Sequence, residues 1–439
     1  MGSYIPNNLQ ERDQMLQAIG LKTLGELYAQ IPDEIKVKKL HLPEGMSEPE
    51  VGRYISEIAD KNVRFRTIFR GAGAYNHYIP SIVKSITGKE EFVTAYTPYQ
   101  AEISQGILQT IFEFQTEICQ LTGMDVANAS MYDAASAAAE SVTMCLERKR
   151  TKMLVSATVD PMTLRTMRTY CHGKGTELVV VPAKDGVTDI EALEGMLDDA
   201  VAGVYIRQPN YYGLIEDADT IGGKVHAAGA KYVMGVNPIA LGIMKTPAEY
   251  GADIVIGEAQ PLGLPLSFGG PYLGFMACTT AMMRKLPGRI VGETVDVDGR
   301  RAFVLTLQAR EQHIRREKAS SNVCSNQALC AMTATVYMAA MGPVGMRRVA
   351  TLCLSKAHYA ASGIRKIPGF GLRYEGEFFH EFLTECPGNV ADVMSALEKE
   401  GILGGYPVDG GILWCVTEMN TKEEIDRLVS VLRAMHGRQ

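Results

Sequence analysis

The segment Asp253-Ile-Val-Ile-Gly-Glu258-Ala259-Gln260-Pro-Leu-Gly-Leu-Pro-Leu-Ser-Phe-Gly-Gly-Pro271 sets an apolar strand, a short polar stretch and a Gly-Gly-Pro turn in succession. That is the layout of a loop that presents a lysine amine to pyridoxal phosphate (PLP), where amine and aldehyde close a Schiff base. Here the position carries Gln260. An amide nitrogen shares its lone pair with its own carbonyl and cannot form the imine. A second part is absent in the same way. A carboxylate at the end of the preceding strand usually faces the pyridine nitrogen and keeps it protonated. The stretch Tyr232-Val-Met-Gly-Val236 ends instead in Asn237-Pro238. A chain with the body of a PLP enzyme and no amine at this position needs a partner that supplies one.

Four other groups can do chemistry, and each also has a plain structural reading. Met131-Tyr-Asp133-Ala-Ala-Ser136-Ala-Ala-Ala-Glu140 brings small residues into a helix, so its free N–H groups and positive dipole end can hold a phosphate near Ser136. A capped, alanine-rich helix packed on a sheet has the same sequence. Val204-Tyr-Ile-Arg207-Gln208-Pro209-Asn210-Tyr-Tyr-Gly213 closes a strand with a polar loop that can set Asn210 against a ring or carboxylate, or merely connect. Thr94-Ala-Tyr96-Thr-Pro98-Tyr99-Gln-Ala-Glu102 offers two phenols that can reach a phosphate across a subunit boundary, or straddle core and surface. Arg310-Glu-Gln-His313-Ile-Arg315-Arg316-Glu-Lys318 can grip a phosphate or an acidic protein, or form a solvated helix face. Gly71-Ala-Gly73-Ala-Tyr75-Asn-His77 is not a dinucleotide loop: no third glycine, no preceding strand and no acid at the right distance accompany it.

The elements that must position these residues alternate. Apolar, β-branched runs at 153–157, 177–182, 201–206, 232–236, 253–257 and 273–277 are separated by helical stretches near 134–148, 161–172, 189–198 and 217–229. Strands alternating with helices predict a doubly wound, mainly parallel α/β sheet, with ligands beyond the strands' carboxyl ends. Before it, residues 1–70 read as short helices, an arm of the kind that grips a partner. Asn8 can cap one that ends near Gly20, and Thr23–Glu26 and Ser47–Glu50 are capping boxes. Thr188–Glu191, Thr246–Glu249 and Thr421–Glu424 have the same form. A hairpin with an Asp298-Gly299 turn is expected over 294–306 and a long helix over 326–363. Strand 379–385, helix 389–400, strand 412–417 and helix 421–435 make a smaller α+β domain. The expected division is 1–70 for the arm, 71–325 for the large domain, and 326–439 for the linking helix and small domain.

Composition excludes several classes. A length of 439 residues with 46% hydrophobic and 21% charged residues allows a large core. The net charge of -6 argues against binding nucleic acid by bulk electrostatics. Nine cysteines, scattered and without a C-x-x-C pair, predict reduced thiols in a cytoplasmic protein and no metal site. No run of 18 apolar residues exists, so no membrane span is expected, and the first residues lack the pattern of a signal peptide.

Taken in order, Phe69–Pro80, Thr94–Gly106, Asn128–Glu140, Arg207–Gly213, Val236–Gly242, Gly257–Pro271 and Leu307–Lys318 resemble the glycine cleavage system P-protein, glycine decarboxylase. The resemblance is to the N-terminal half, which many bacteria make as a separate α subunit, and it runs over nearly the whole chain. Gly257-Glu-Ala-Gln-Pro-Leu-Gly263 and Arg310–Lys318 are its most specific parts. It implies a PLP-dependent, aminotransferase-like (fold type I) α/β protein. The partner would be a lysine-bearing β subunit, subunit 2, in an α2β2 heterotetramer. That subunit alone would hold PLP covalently; Gln260 takes the lysine position here and Ala259 that of the preceding histidine. Glycine would lose CO2 with PLP as electron sink, and its aminomethyl group would pass to the oxidised lipoyl arm of the H-protein. The resemblance further implies that Tyr96 and Tyr99 reach the partner's PLP or substrate. His77 and the 71–80 loop would line the entrance, and Arg315, Arg316 and Lys318 would steady the loop or dock the H-protein. Two alternatives stay open: a scaffold or regulatory subunit with a relic pocket, and an independent PLP enzyme using Lys231 or Lys245.

Overall fold

The computed structural model describes residues 7–37, 39–93, 97–319 and 321–436. The chain divides into two units at Val63 and Arg64. In the first, α1 (Leu9–Ala18) starts at a capping box between Asn8 and Glu11. Thr23 and Glu26 hydrogen-bond each other, but they open a 3-10 turn over Leu24–Tyr28 and not an α-helix. Helix α2 (Glu48–Ala59) has the Ser47–Glu50 box and a proline in its first turn. Its residues Val51, Tyr54, Ile55 and Ile58, one helical stripe, are all exposed.

The second unit is built on a seven-stranded sheet. Its strands are β1 (Val126–Ala127), β2 (Lys152–Ser156), β3 (Glu177–Val181), β4 (Val201–Gln208), β5 (Lys231–Val236), β6 (Ile254–Glu258) and β7 (Gly274–Cys278). They lie in the order β1-β7-β6-β5-β4-β2-β3. Strands β2 to β6 pair in parallel, and β7 runs antiparallel to both its neighbours. Parallel strands are covered on both faces, so they read as continuous apolar runs. Successive side chains still serve opposite faces: Leu154 packs in one core, Met153 and Val155 in the other. The second core is closed by α3 (Ala134–Cys145), whose Ala137, Ala138 and Ala139 let its backbone lie close to the sheet.

Two capping boxes fall differently from expectation. Asp189, not Thr188, caps the helix Ile190–Met196; Thr188 lies in a short strand, where its hydroxyl meets that of Ser156. Thr246 and Glu249 close a turn without a following helix. The hairpin forms from β8 (Ile290–Val295) and β9 (Arg301–Thr306). Helix α4 (Ala328–Ile364) is long and apolar enough to cross a membrane by length and composition. It is broken at Gly342, followed by Pro343, and its Tyr337, Ala350, Cys353 and Ala357 are buried in the protein's cores.

The C-terminal part packs α5 (Val390–Lys399) and α6 (Lys422–His436) with β10 (Glu381–Thr384), β11 (Tyr406–Val408) and β12 (Gly411–Cys415). Trp414 is fully buried there, and its indole N–H donates to Thr384 at 2.9 Å. Thr67–Ile68, inside the stretch read as short helices, pair in parallel with Ile402–Leu403. Two residues are too few to show a strand pattern. The pairing leads the chain directly into the 71–80 segment.

Candidate active site

Strands β4, β5 and β6 end in Arg207-Gln208, Gly235-Val236 and Gly257-Glu258. Their carboxyl ends form the floor of a cleft of about 460 Å³. Gly71–Ala74 line it from one side, Asp133–Ala135 from another, with Asp160, Tyr205 and Tyr272. This is where a doubly wound sheet binds ligands. Gly235 is required by shape, since a Cβ there would collide with the Tyr205 hydroxyl.

Gln260 is buried just past β6, and every polar atom of its side chain is occupied. Its Oε1 accepts from the Tyr75 N–H at 2.8 Å. Its Nε2 donates to the carbonyls of Tyr75 at 3.0 Å and Leu264 at 2.8 Å. Asn237 is likewise engaged, its amide meeting His380 at 3.0 Å and accepting from the Ile239 N–H at 2.9 Å. Ser136 is the third residue of α3 and exchanges capping bonds with Asp133; it is not among the cleft's lining residues. Asn210 is also away from the cleft. Its amide donates to Gly186 and Glu216 and accepts from Tyr212 and Leu214, so it organises the turn after β4.

Glu258 was not singled out by the sequence reading, although it stands two residues before Gln260. Its carboxylate accepts from the N–H groups of Ala134, Gln260 and Leu273. Burial pushes its pKa up to about 7, against the opposing pull of those donors. A second unread group is Glu381. It accepts from the Ala72 N–H at 2.6 Å and the Tyr75 hydroxyl at 2.7 Å, and Arg207 donates to that hydroxyl at 3.0 Å. Burial raises the pKa of Glu381, and Arg207, the Ala72 N–H and the Tyr75 hydroxyl offset part of the rise.

His77, expected at an entrance, is instead buried. Its Nδ1 meets Glu418 Oε2 at 2.7 Å, and its ring stacks near that of His380. Burial alone would raise the Glu418 pKa, but the His77 bond and charge and the Tyr78 N–H leave it below the ordinary value. Burial holds His380 well below the usual histidine range.

Tyr96 lies outside the described residues. Tyr99 is half exposed; its hydroxyl accepts from Arg289 at 2.8 Å, and its ring meets His313 edge-on. Arg315, Arg316 and Lys318 are exposed. Lys231 begins β5 and lies 3.9 Å from Asp253, while Lys245 pairs with Asp219 at 2.9 Å. Neither lines the cleft. The hydrogen bond to Asp219 raises the Lys245 pKa.

A covalently held PLP does not fit this cleft. No lining residue is a lysine. Two of the N–H donors that open α3, those of Ala134 and Ser136, which a phosphate would need, are taken by the carboxylates of Glu258 and Asp133. Those two acids would also repel a phosphate dianion.

Comparison with known proteins gives the family. The model of the family "Glycine cleavage system P-protein" matches residues 2–432. The chain is 50% identical to the probable glycine dehydrogenase (decarboxylating) subunit 1 of Desulfitobacterium hafniense, over 98% of both chains. It is 50% identical to the protein of the same name from Moorella thermoacetica, over 99% of both. Among solved structures, an inhibitor-bound glycine decarboxylase (P-protein) of the glycine cleavage system superposes with a TM-score of 0.94 at 39% identity, covering 99% of this chain and 100% of that one. A sphingosine-1-phosphate lyase of Burkholderia pseudomallei superposes with a TM-score of 0.68 at 12% identity, over 94% of each chain, and so shares the fold. The chain belongs to the glycine cleavage system P-protein family.

Proposed function

We propose that this chain is the lysine-free subunit of a two-subunit glycine dehydrogenase (aminomethyl-transferring), and that it completes the active site of a lysine-bearing β subunit. The observation that carries this is the side chain at position 260: an amide, buried and fully hydrogen-bonded, where a Schiff-base amine would stand. The relatives' designation as a subunit 1 supports a partner chain. PLP on the β subunit would supply the electron sink for the decarboxylation of glycine.

In this reading the chain contributes position and charge. Tyr99, half exposed and braced by Arg289, faces the shared site, and the same role is assigned to Tyr96 from its place in the sequence motif. The exposed cations Arg315, Arg316 and Lys318 offer a docking surface for the lipoyl-bearing H-protein. The apolar stripe of α2 seals against the β subunit in an α2β2 assembly. The enzyme is cytoplasmic.

The test is reconstitution. With the lysine-bearing subunit, PLP and lipoylated H-protein, carboxyl-labelled glycine should release CO2, and native mass spectrometry should report α2β2. This chain alone should release none, and borohydride should trap no PLP on it. Stoichiometric trapping on Lys245 would make it an enzyme in its own right. The scaffold reading draws on one observation, the carboxylates of Glu258 and Asp133 at the anion-binding helix end. Unchanged turnover in Tyr99→Phe and Tyr96→Phe assemblies would favour it.

A further inference from the structure

Three side chains from distant parts of the sequence meet at one carboxylate oxygen. His77 comes from the 71–80 segment, Cys353 from α4, and Glu418 follows β12. Glu418 Oε2 lies 2.7 Å from His77 Nδ1 and 3.3 Å from Cys353 Sγ. Its Oε1 accepts from the Tyr78 N–H at 2.7 Å, which holds the carboxylate in place. The three donor atoms all lie within 4.8 Å of one another. His77 and Cys353 are buried, and the Glu418 side chain is only 8% exposed. Lys356 donates to the main-chain carbonyl of Glu418 and leaves the carboxylate alone. Among the described residues no lysine or arginine forms an ion pair with that carboxylate.

The cluster is short of partners. His77 Nε2 and the Tyr337 hydroxyl are buried and unbonded. Tyr337 is fully buried on α4; burial, then the charges of Glu418 and Cys353, push its pKa up, so the hydroxyl stands near both. Buried polar groups are nearly always bonded, and a buried hydroxyl left without a partner beside such a cluster marks a place that something else completes. Imidazole, thiolate and carboxylate are the ligand types of zinc, whereas magnesium and calcium take oxygen alone. Thiolate and carboxylate together neutralise a divalent ion, which the interior requires. Zinc bonds of about 2.0–2.3 Å fit among these atoms once the two hydrogen bonds open by a few tenths of an ångström. The expectation of no metal site rested on the spacing of cysteines. Here Cys353 and His77 stand 65 and 341 residues from Glu418, so spacing could not show them as one set.

We propose that His77 Nδ1, Cys353 Sγ and Glu418 Oε2 form a structural zinc site, with a water on the Tyr337 hydroxyl closing the tetrahedron. On binding, the thiol proton leaves and the imidazole carries its proton on Nε2, so each zinc releases one proton. The ion ties the 71–80 segment, whose Tyr75 is fastened to Gln260, to α4 and to the end of β12. None of the three ligands lines the cleft, and the site is independent of the function proposed above.

The ligands are buried, so the experiment supplies metal while the chain folds. The untagged full chain is expressed in minimal medium with zinc sulfate or with cobalt chloride, purified and desalted. Elemental analysis should find one zinc per chain. X-ray absorption at the zinc edge should show one sulfur at about 2.3 Å among nitrogen and oxygen at about 2.0–2.1 Å. The cobalt form should show a thiolate-to-metal charge-transfer band, lost in Cys353→Ser and kept in Cys324→Ser, which removes an exposed thiol. Glu418→Gln should weaken zinc by more than the about 10–100-fold typical of losing an outer-shell partner. Zinc far below one per chain, or an absorption spectrum without sulfur, overturns the proposal. So does a cobalt band that survives Cys353→Ser or vanishes in Cys324→Ser. The absorption spectrum is read on the wild type, so the test stands even if Cys353→Ser does not fold.

Discussion

Gln260 and Tyr75 are joined by two opposed hydrogen bonds: the Tyr75 N–H donates to the amide oxygen at 2.8 Å, and the amide nitrogen donates to the Tyr75 carbonyl at 3.0 Å. The amide thus acts as a piece of main chain, fastening the 71–80 segment to the turn after β6. Lysine has three donors and no acceptor, so it cannot receive the Tyr75 N–H. Gln260→Lys should therefore cost about 1–3 kcal/mol, the loss expected for a buried donor left unmade. It should also fail to create a PLP enzyme, because Glu258 and Asp133 still occupy the phosphate's donors. Urea denaturation and borohydride trapping check both parts. A stoichiometric PLP adduct at the substituted position would refute this account of the cleft.

Glu258 should make the protein less stable as the pH rises. Its folded pKa of about 7 lies above the ordinary value of 4.5, because burial penalises the charged form. The folded state therefore holds the proton more tightly than the unfolded chain. The contribution is fully present below pH 4.5 and is lost as the pH rises through about 7. The full loss is on the order of 3 kcal/mol, for a shift of this size in a buried group. Glu258→Gln cannot ionise and should flatten this window, although its NH2 cannot accept from the Ala134 N–H as Glu258 Oε2 does. Denaturation midpoints of wild type and variant between pH 5 and 8 give the comparison. Parallel curves would mean that Glu258 titrates normally.

The sheet was legible because its strands are buried on both faces and read as unbroken apolar runs, such as the eight-residue β4. Gln260 was legible because one missing functional group stands out in an otherwise familiar loop. The sequence offers Ser136 as a cofactor ligand from its place at a helix N-terminus and Asn210 from its loop after a strand. The structure spends both on local backbone bonds, a helix cap and a turn, which is what short polar side chains at such places most often do. Glu381 and Glu418 were not found, because their partners lie more than 300 residues away in sequence. Sequence spacing carries no trace of such pairings. Arg289 was passed over for a related reason: a single arginine before a hairpin means nothing until its burial is known.

The pair of His77 and Glu418 should make the protein lose stability as the pH falls. Glu418 has a lowered folded pKa, so its stabilisation is present above its unfolded value of 4.5 and is lost as the pH falls through the folded value. Glu418→Gln keeps an acceptor for the Tyr78 N–H but loses the charge facing His77. It should destabilise by about 1–3 kcal/mol at neutral pH, as for a hydrogen bond to a charged group. Its acid unfolding should be less steep below pH 4.5. Circular dichroism from pH 7 to 3 checks this, and an unaltered acid limb would show that the carboxylate contributes nothing there.

Gly71 should tolerate no side chain, although nothing about its backbone conformation demands glycine. A Cβ at this position would stand 2.5 Å from Glu381 Oε1, 2.7 Å from the Cys415 Cβ and 2.9 Å from the Tyr75 ring. All three neighbours are buried, so none can swing away. The Glu381 oxygen is the one that accepts from the Ala72 N–H, and the same carboxylate receives the Tyr75 hydroxyl that Arg207 contacts. One methyl group would thus push apart the chain of contacts that fixes the Gly71–Ala74 wall of the cleft. Gly71→Ala should cost about 1–3 kcal/mol, the usual range for overpacking. The loss should not add to that of Glu381→Gln, because both act on the same oxygen. Thermal denaturation of the two single variants and the double variant measures this. Strict additivity would mean that the wall is held independently of Glu381, and the close approach of Gly71 would then have no bearing on the cleft.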